Sequence, residues 1–178
     1  SPRQLRRGLL LQQFELAMSE SGADPRHLTL ELTEDSLVEH ADGQLAVLER
    51  LRAQGVQVAI DDFGTGLSSL SYLKRLPVTK LKIDRSFVAG LTDNGGDATI
   101  VGATLAMASA FGLKVVAEGI ETVAQQFELR QMGCDFGQGY LYSRPVSAAE
   151  FERLLSRPAP VAQPAAAVRS FGATCFSL

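Results

Sequence analysis

Five short β-type runs, each ending in an acid or an amide, alternate along this chain with segments of helical periodicity. The runs are HLTLELTE from about His27 to Glu34, VQVAIDDFG leading into a glycine-rich turn, KLKID, KVVAE and CDFGQGY. Strands separated by helix-length segments imply βαβ units, and so a parallel sheet whose strand C-termini share one mouth. Glu31 and Glu34, Asp61 and Asp62, Lys82 and Asp84, Glu118 and Glu121, and Gln138 then converge on that mouth. A single acid at a strand end is most often a solvated loop residue or a helix cap. Five strands ending alike describe an active site.

The segments between the runs carry helix signals. Ser1 to Gln4 reads as a capping box opening a helix through Leu9, Phe14 and Met18 that stops at Gly22. Leu45, Leu48 and Leu51 mark a second helix ending at Gly55, and Ser68 to Leu76 a short third closed by Pro77. Gly90 to Gly96 is weakly structured and leads into a helix that Asp97 could cap, with Ile100, Thr104, Met107 and Phe111 at helical spacing. Capping boxes at Thr122 to Gln125 and Ser147 to Glu150 open the last two. From about Ser156 the Pro/Ala-rich stretch cannot form a packed core, so the expected organisation is one domain over residues 1–155 and a disordered tail over 156–178. Doubly wound sheet and barrel both fit this pattern. A closed eight-unit barrel takes ~250 residues, so as a barrel the chain would be incomplete.

Composition narrows the chemistry. Seventeen Lys and Arg against 20 Asp and Glu give a formal charge of −3, without the basic excess of a surface that tracks a nucleic-acid polymer. The longest uncharged stretch, Ala98 to Leu113, is diluted by Gly102, Ser109 and Gly112 and falls short of the ~20 apolar residues of a bilayer span. Cys134 and Cys175 stand in unlike contexts and make no disulfide framework, which favours a reducing, cytoplasmic setting. Carboxylates ringing one cavity repel one another unless something positive sits among them. Oxygen-only ligands, with His27 and His40 elsewhere, suit Mg²⁺, Mn²⁺ or Ca²⁺ better than zinc. Adjacent Asp61 and Asp62 could both reach a pair of ions if the backbone turns at the strand end, and two metals suit in-line displacement at phosphorus. Lys82 would stay protonated among acids and hold an attacking water or a phosphate oxygen. Gly64-Thr65-Gly66 offers backbone freedom and amide donors beside Asp62, consistent with a mobile active-site loop, whereas without GxxxxGK[ST] a Walker-type cradle is not supported.

Several of these segments together resemble one family. ELTE at Glu31 to Glu34, DDFGTGLSSLSYLKRLP from Asp61, KIDRSF from Lys82, AEGIET from Ala117 and GQGYLYSRP from Gly137 closely resemble motifs of the EAL domain family, bacterial phosphodiesterases that open cyclic di-GMP to linear pGpG. The resemblance runs from residue 1 to about 155. It implies an α/β fold, a TIM-type (β/α) barrel with Mg²⁺ or Mn²⁺ at its C-terminal mouth, here incomplete, with about five of the eight strands and the first strands missing. It implies Glu31 as a metal ligand, Asp61 as a ligand shared by two ions and Asp62 as a ligand of the second. Lys82 and Glu118 resemble the pair that positions and deprotonates the attacking water. Glu121 and Gln138 resemble residues completing the metal and substrate surroundings, Glu34 resembles the one that steadies the loop after Asp62, and Asp84 is grouped with them. Leu67 stands where the family often has tyrosine.

SPRQL resembles the segment just after the family's third strand, which places the Glu-Ala-Leu motif, with its metal-binding glutamate, and a metal-binding asparagine ahead of Ser1. This chain alone is therefore expected to be inactive or nearly so. The resemblance further implies cyclic di-GMP as the ligand, a homodimer, and a parent protein with sensory or diguanylate cyclase domains or an upstream membrane anchor. The alternative is a non-catalytic cyclic di-GMP receptor or partner-binding module. Schiff-base chemistry at Lys82 in a barrel enzyme of another kind would need a desolvated, low-pKa lysine, which the acidic setting opposes.

Overall fold

Val58 and Ile60 in one run, Leu81 and Ile83 in the next and Val115 and Ala117 in the third fall on one face of a sheet, as the two-residue period of a strand requires. All six are almost wholly removed from solvent. Leu48, Val88, Val101, Ala108 and Leu129 pack on them from the helices, which makes a helix-on-sheet core. The intervening positions are left to the other face. The computed structural model describes residues 9–33, 41–64, 73–92, 95–156 and 172–173.

The strands are β1 (Thr29–Thr33), β2 (Gln57–Phe63), β3 (Lys80–Ile83), β4 (Lys114–Ala117), β5 (Phe136–Gly137) and β6 (Gly172–Ala173). The helices are α1 (Leu9–Ser21), α2 (Ala41–Ala53), α3 (Arg85–Ala89), α4 (Gly95–Ala110), α5 (Val123–Gln131) and α6 (Ala148–Leu155). The sheet follows chain order from β1 to β6, and every neighbouring pair is parallel. Strands in sequential order with helices between them are the arrangement of a TIM-type barrel over part of its circumference. A smaller cluster of Leu11, Leu51 and Val56 ties α1 to the end of α2.

Most helix signals operate as read. Thr122 accepts from the Gln125 backbone N–H while Gln125 reaches back to the cap, and Ser147 and Glu150 do the same at α6. Three readings change. Helix α4 begins at Gly95, so Asp97 lies in its first turn, complementing the dipole there, and is not the cap. Helix α3, capped by Asp84, is not signalled in the sequence pattern. The CDFGQGY strand shortens to two residues, which pair on their outer side with Gly172–Ala173. The Ser1 capping box, most of the 68–76 helix, the Gly64 turn beyond Gly64 itself, Leu67 and His40 lie outside the described residues.

The core predicts a simple contrast. Ile60, 1% exposed on β2, should cost about 2–5 kcal/mol of unfolding free energy when changed to Ala. Leu16, 59% exposed on α1, should cost under about 0.5 kcal/mol for the same change. Urea titration of both variants measures the difference.

Candidate active site

The parallel sheet lifts the polar ends of β1, β2, β3 and β4 to one rim. Lys82 on β3 is 2% exposed, and its Nζ lies 2.8 Å from Glu31 Oε2, 2.9 Å from Asp61 Oδ1 and 2.7 Å from Glu118 Oε1. These acids come from β1, from β2 and from the residue after β4. Glu118 is held there because its backbone N–H continues the ladder to the Ile83 carbonyl, at 3.1 Å. Burial by itself would depress the Lys82 ammonium, but its hydrogen bonds to Glu118, Glu31 and Asp61 carry it above the usual lysine range.

Consecutive strand residues point to opposite faces, so Asp61 and Asp62 need a special backbone to act together. The structure supplies one. From Ile60 to Phe63 strand β2 advances three residues while β3 advances two, from Leu81 to Ile83, which is a bulge at the two aspartates. Asp62 has φ +54°, the left-handed region that Asp and Asn enter more readily than bulkier residues. Its backbone N–H donates to Asp61 Oδ1 at 3.2 Å. As a result Asp61, Asp62 and Glu118 each place one oxygen within 4.8 Å of the others.

Four carboxylates thus surround one ammonium. Burial, then the neighbouring Asp61 and Asp84 charges, push Asp62 above the ordinary carboxyl range. Asp84 is held below that range, first by the Ser86 hydroxyl. The opposed shifts make Asp62 the more basic of the two neighbouring carboxylates and Asp84 the more acidic. Burial also raises Glu118, against the pull of Lys82. A centre with excess carboxylate oxygen, no nitrogen or sulfur ligand among the described residues and two acids pushed upward fits a hard divalent cation. Gln138 Oε1 adds to that fit: it is a buried acceptor with no hydrogen-bond donor among the described residues. Its backbone N–H bonds the Ala117 carbonyl and its own carbonyl accepts from Ile120, so Gln138 brackets the Glu118 loop.

The residues expected from sequence therefore divide. Glu31, Asp61, Asp62, Lys82 and Glu118 come together, and Asp84 joins them through Asp62. Glu121 is exposed at the start of the α5 cap, where its backbone N–H donates to Gln125 Oε1. Glu34 lies outside the described residues, and His27 sits in a 3-10 turn away from the rim strands' C-terminal ends. The reading of the residues missed the bulge and α3, whose only sequence signal is Asp84 two residues ahead of Ser86.

A family model described as the EAL domain matches residues 1–145. The bifunctional diguanylate cyclase/cyclic di-GMP phosphodiesterase MucR of Pseudomonas aeruginosa is 48% identical over 141 residues, which cover 79% of this chain and 21% of MucR. The chain spans about a fifth of the length of such relatives. A solved MucR phosphodiesterase in complex with c-di-GMP superposes with a TM-score of 0.80 at 46% identity, over 85% of this chain and 61% of that one. A manganese/c-di-GMP complex of Klebsiella pneumoniae BlrP1 superposes at 0.71 with 34% identity, over 81% of this chain and 37% of that one.

The ion cluster carries its own prediction. Lys82→Met leaves the carboxylates without their counter-charge and should cost about 3–5 kcal/mol near neutral pH. Asp62 and Glu118, already raised, take up protons first on acidification, so the deficit should shrink as pH falls toward about 5. Urea unfolding of the variant and its parent at the two pH values tests this, and an equal deficit at both would contradict the charge assignment.

Proposed function

The chain belongs to the EAL domain family, and on that premise we propose that it is part of a metal-dependent phosphodiesterase domain that hydrolyses cyclic di-GMP to linear pGpG. The observation that carries the reading is the Lys82 ammonium among Glu31, Asp61 and Glu118, with Asp62 turned into the same mouth. Glu31, Asp61 and Asp62 would hold Mg²⁺ or Mn²⁺. Bound there, such ions neutralise charge on a phosphodiester and make a bound water acidic.

The chain's own residues supply the rest. Asp62, raised above the ordinary carboxyl range by burial and by its acidic neighbours, takes a cation in competition with protons. Glu118, raised by burial yet paired to Lys82, is suited to accept the proton of the attacking water as its oxygen adds to phosphorus. One ester P–O bond breaks in that step, and the departing ribose oxygen takes up a proton from solvent. Lys82 keeps its charge throughout and is placed to steer Glu118 and the water or a phosphate oxygen. Gln138, Glu121 and Glu34 would line the surroundings of the ions and substrate.

The wider proposal keeps one domain over residues 1–155 followed by a tail, cyclic di-GMP as the ligand, homodimer formation and a parent protein carrying sensory or cyclase domains. No helix among the described residues is long and apolar enough to cross a membrane, and a cytoplasmic location is proposed on the ligand's account.

Nucleotide chromatography tests the function on a version extended through the strands that complete the family's domain. Linear pGpG should form with Mg²⁺ or Mn²⁺ and not in excess EDTA, and Asp61→Asn or Glu31→Ala should lower kcat by more than about 10²-fold. Binding of cyclic di-GMP without turnover would favour the receptor reading. A second measurement needs no turnover: Mn²⁺ affinity, followed by titration calorimetry, should rise with pH through the carboxyl range, because ligating carboxyls must be deprotonated and Asp62 is raised among them. Asp62→Asn should weaken Mn²⁺ binding and reduce that dependence.

A further inference from the structure

Helix α3 is only five residues long, yet it touches both of the loops that carry the clustered acids. Its third residue, Phe87, is half-buried against the core, and a Cβ on Gly64 would lie 3.2 Å from the Phe87 ring carbon Cε2. Gly64 is two residues beyond Asp62. Its first residue, Arg85, meets the other loop, where a Cβ on Gly119 would lie 2.5 Å from Arg85 Cβ and 3.3 Å from its Cα. Gly119 directly follows Glu118. Both glycines are left-handed, with φ +98° and +70°, so each loop lays bare backbone on α3 where any other residue would be strained and crowded.

We propose that Arg85 and Phe87 are positioning residues through which α3 sets the spacing between the Asp61–Asp62 pair and Glu118. Strands β2 and β4 are not neighbours, because β3 stands between them. The regular register of β2 on β3 is broken at the two aspartates, and the ladder beyond Ile83 ends with the Glu118 N–H. Below that level the two groups are joined through Ile83, which pairs with Phe63 and accepts from Glu118, and through the Lys82 ammonium between Asp61 and Glu118. The short helix rises from β3 in the gap, with Phe87 under one loop and Arg85 under the other. Metal-ligand geometry is exacting to a few tenths of an ångström, so a support on both sides governs affinity.

This inference rests on the metal-site reading, and the test separates the two. Phe87→Ala, Arg85→Gly, Arg85→Lys and the core control Val88→Ala are made in the version extended through the strands that complete the family's domain. Mn²⁺ affinity is measured by titration calorimetry, stability by thermal melting, and local opening by hydrogen exchange over residues 61–64 and 117–121. Val88 is wholly buried on the same helix, so its truncation reports loss of stability alone. Phe87→Ala should weaken Mn²⁺ binding about 10-fold or more, the scale of lost support around a metal ligand. Val88→Ala should lower the melting temperature at least as far while leaving affinity within about twofold. Arg85→Lys keeps the Cβ and stem that touch Gly119 and should bind like the parent, whereas Arg85→Gly should weaken binding and speed exchange at 117–121. Equal affinity in the parent, Phe87→Ala and Val88→Ala would overturn the inference and leave the metal reading standing. Were the parent to take up no Mn²⁺, the metal reading would fall and exchange would decide: opening confined to 61–64 in Phe87→Ala and to 117–121 in Arg85→Gly supports the positioning role, and unchanged or uniform exchange refutes it.

Discussion

The Lys82 ammonium holds the rim of the sheet together. It stands on β3 and reaches acids delivered by β1, β2 and the end of β4, so a single side chain cross-links four consecutive strands at the level where their ladders run out. An amine so fully enclosed would ordinarily shed its proton, since burial opposes charge. Three carboxylate partners within 2.9 Å reverse that tendency. The same three acids would repel one another without it. Neither side of this cluster is stable alone, which makes Lys82 a condition for the site's shape as well as a participant in its chemistry.

The compensation is deliberately incomplete. With Asp62 included there are four acids to one ammonium, and burial together with the neighbouring acids displaces Asp62 and Glu118 upward. A protein selected for stability alone would remove one of these acids. Retaining them leaves a centre that is relieved only when protons or cations arrive, and the hard oxygen character of the donors favours small divalent ions over softer metals.

The sheet and the identities of the clustered acids were legible in the sequence because strand ends are marked by a change from apolar alternation to charge. Glu31, Asp61, Lys82 and Glu118 each fall at such a change. The neighbouring features were hidden for physical reasons. A bulge has no composition of its own, and DDFG reads the same whether Asp62 is extended or left-handed. Helix α3 is too short to show periodicity, and RSFVA lacks a second turn on which an apolar face could repeat. Strand β5 shrinks to Phe136–Gly137 because the chain leaves the sheet at Gly139, where β propensity in CDFGQGY gives no warning. Gly172–Ala173 sits in a stretch rich in small residues, and its pairing with β5 is decided by an available edge rather than by propensity.

Matching acids to a family says which atoms face a ligand but leaves open how far apart they stand. In this sheet the strand register fixes the height of each acid along the barrel axis, through pairs such as Thr33 with Asp61 and Lys82 with Val116. Lateral spacing is a different quantity, and within the cluster the Lys82 ammonium sets part of it by reaching both Asp61 and Glu118. The rest falls to side-chain contacts above the sheet, where glycine at 64 and 119 lets two loops close on α3 without an intervening Cβ. A residue larger than glycine at either point would push one group of carboxylates outward while leaving every acid in place. The composition of the site would then be intact and its geometry lost, which is why the supporting helix belongs to the functional unit as much as the acids it separates.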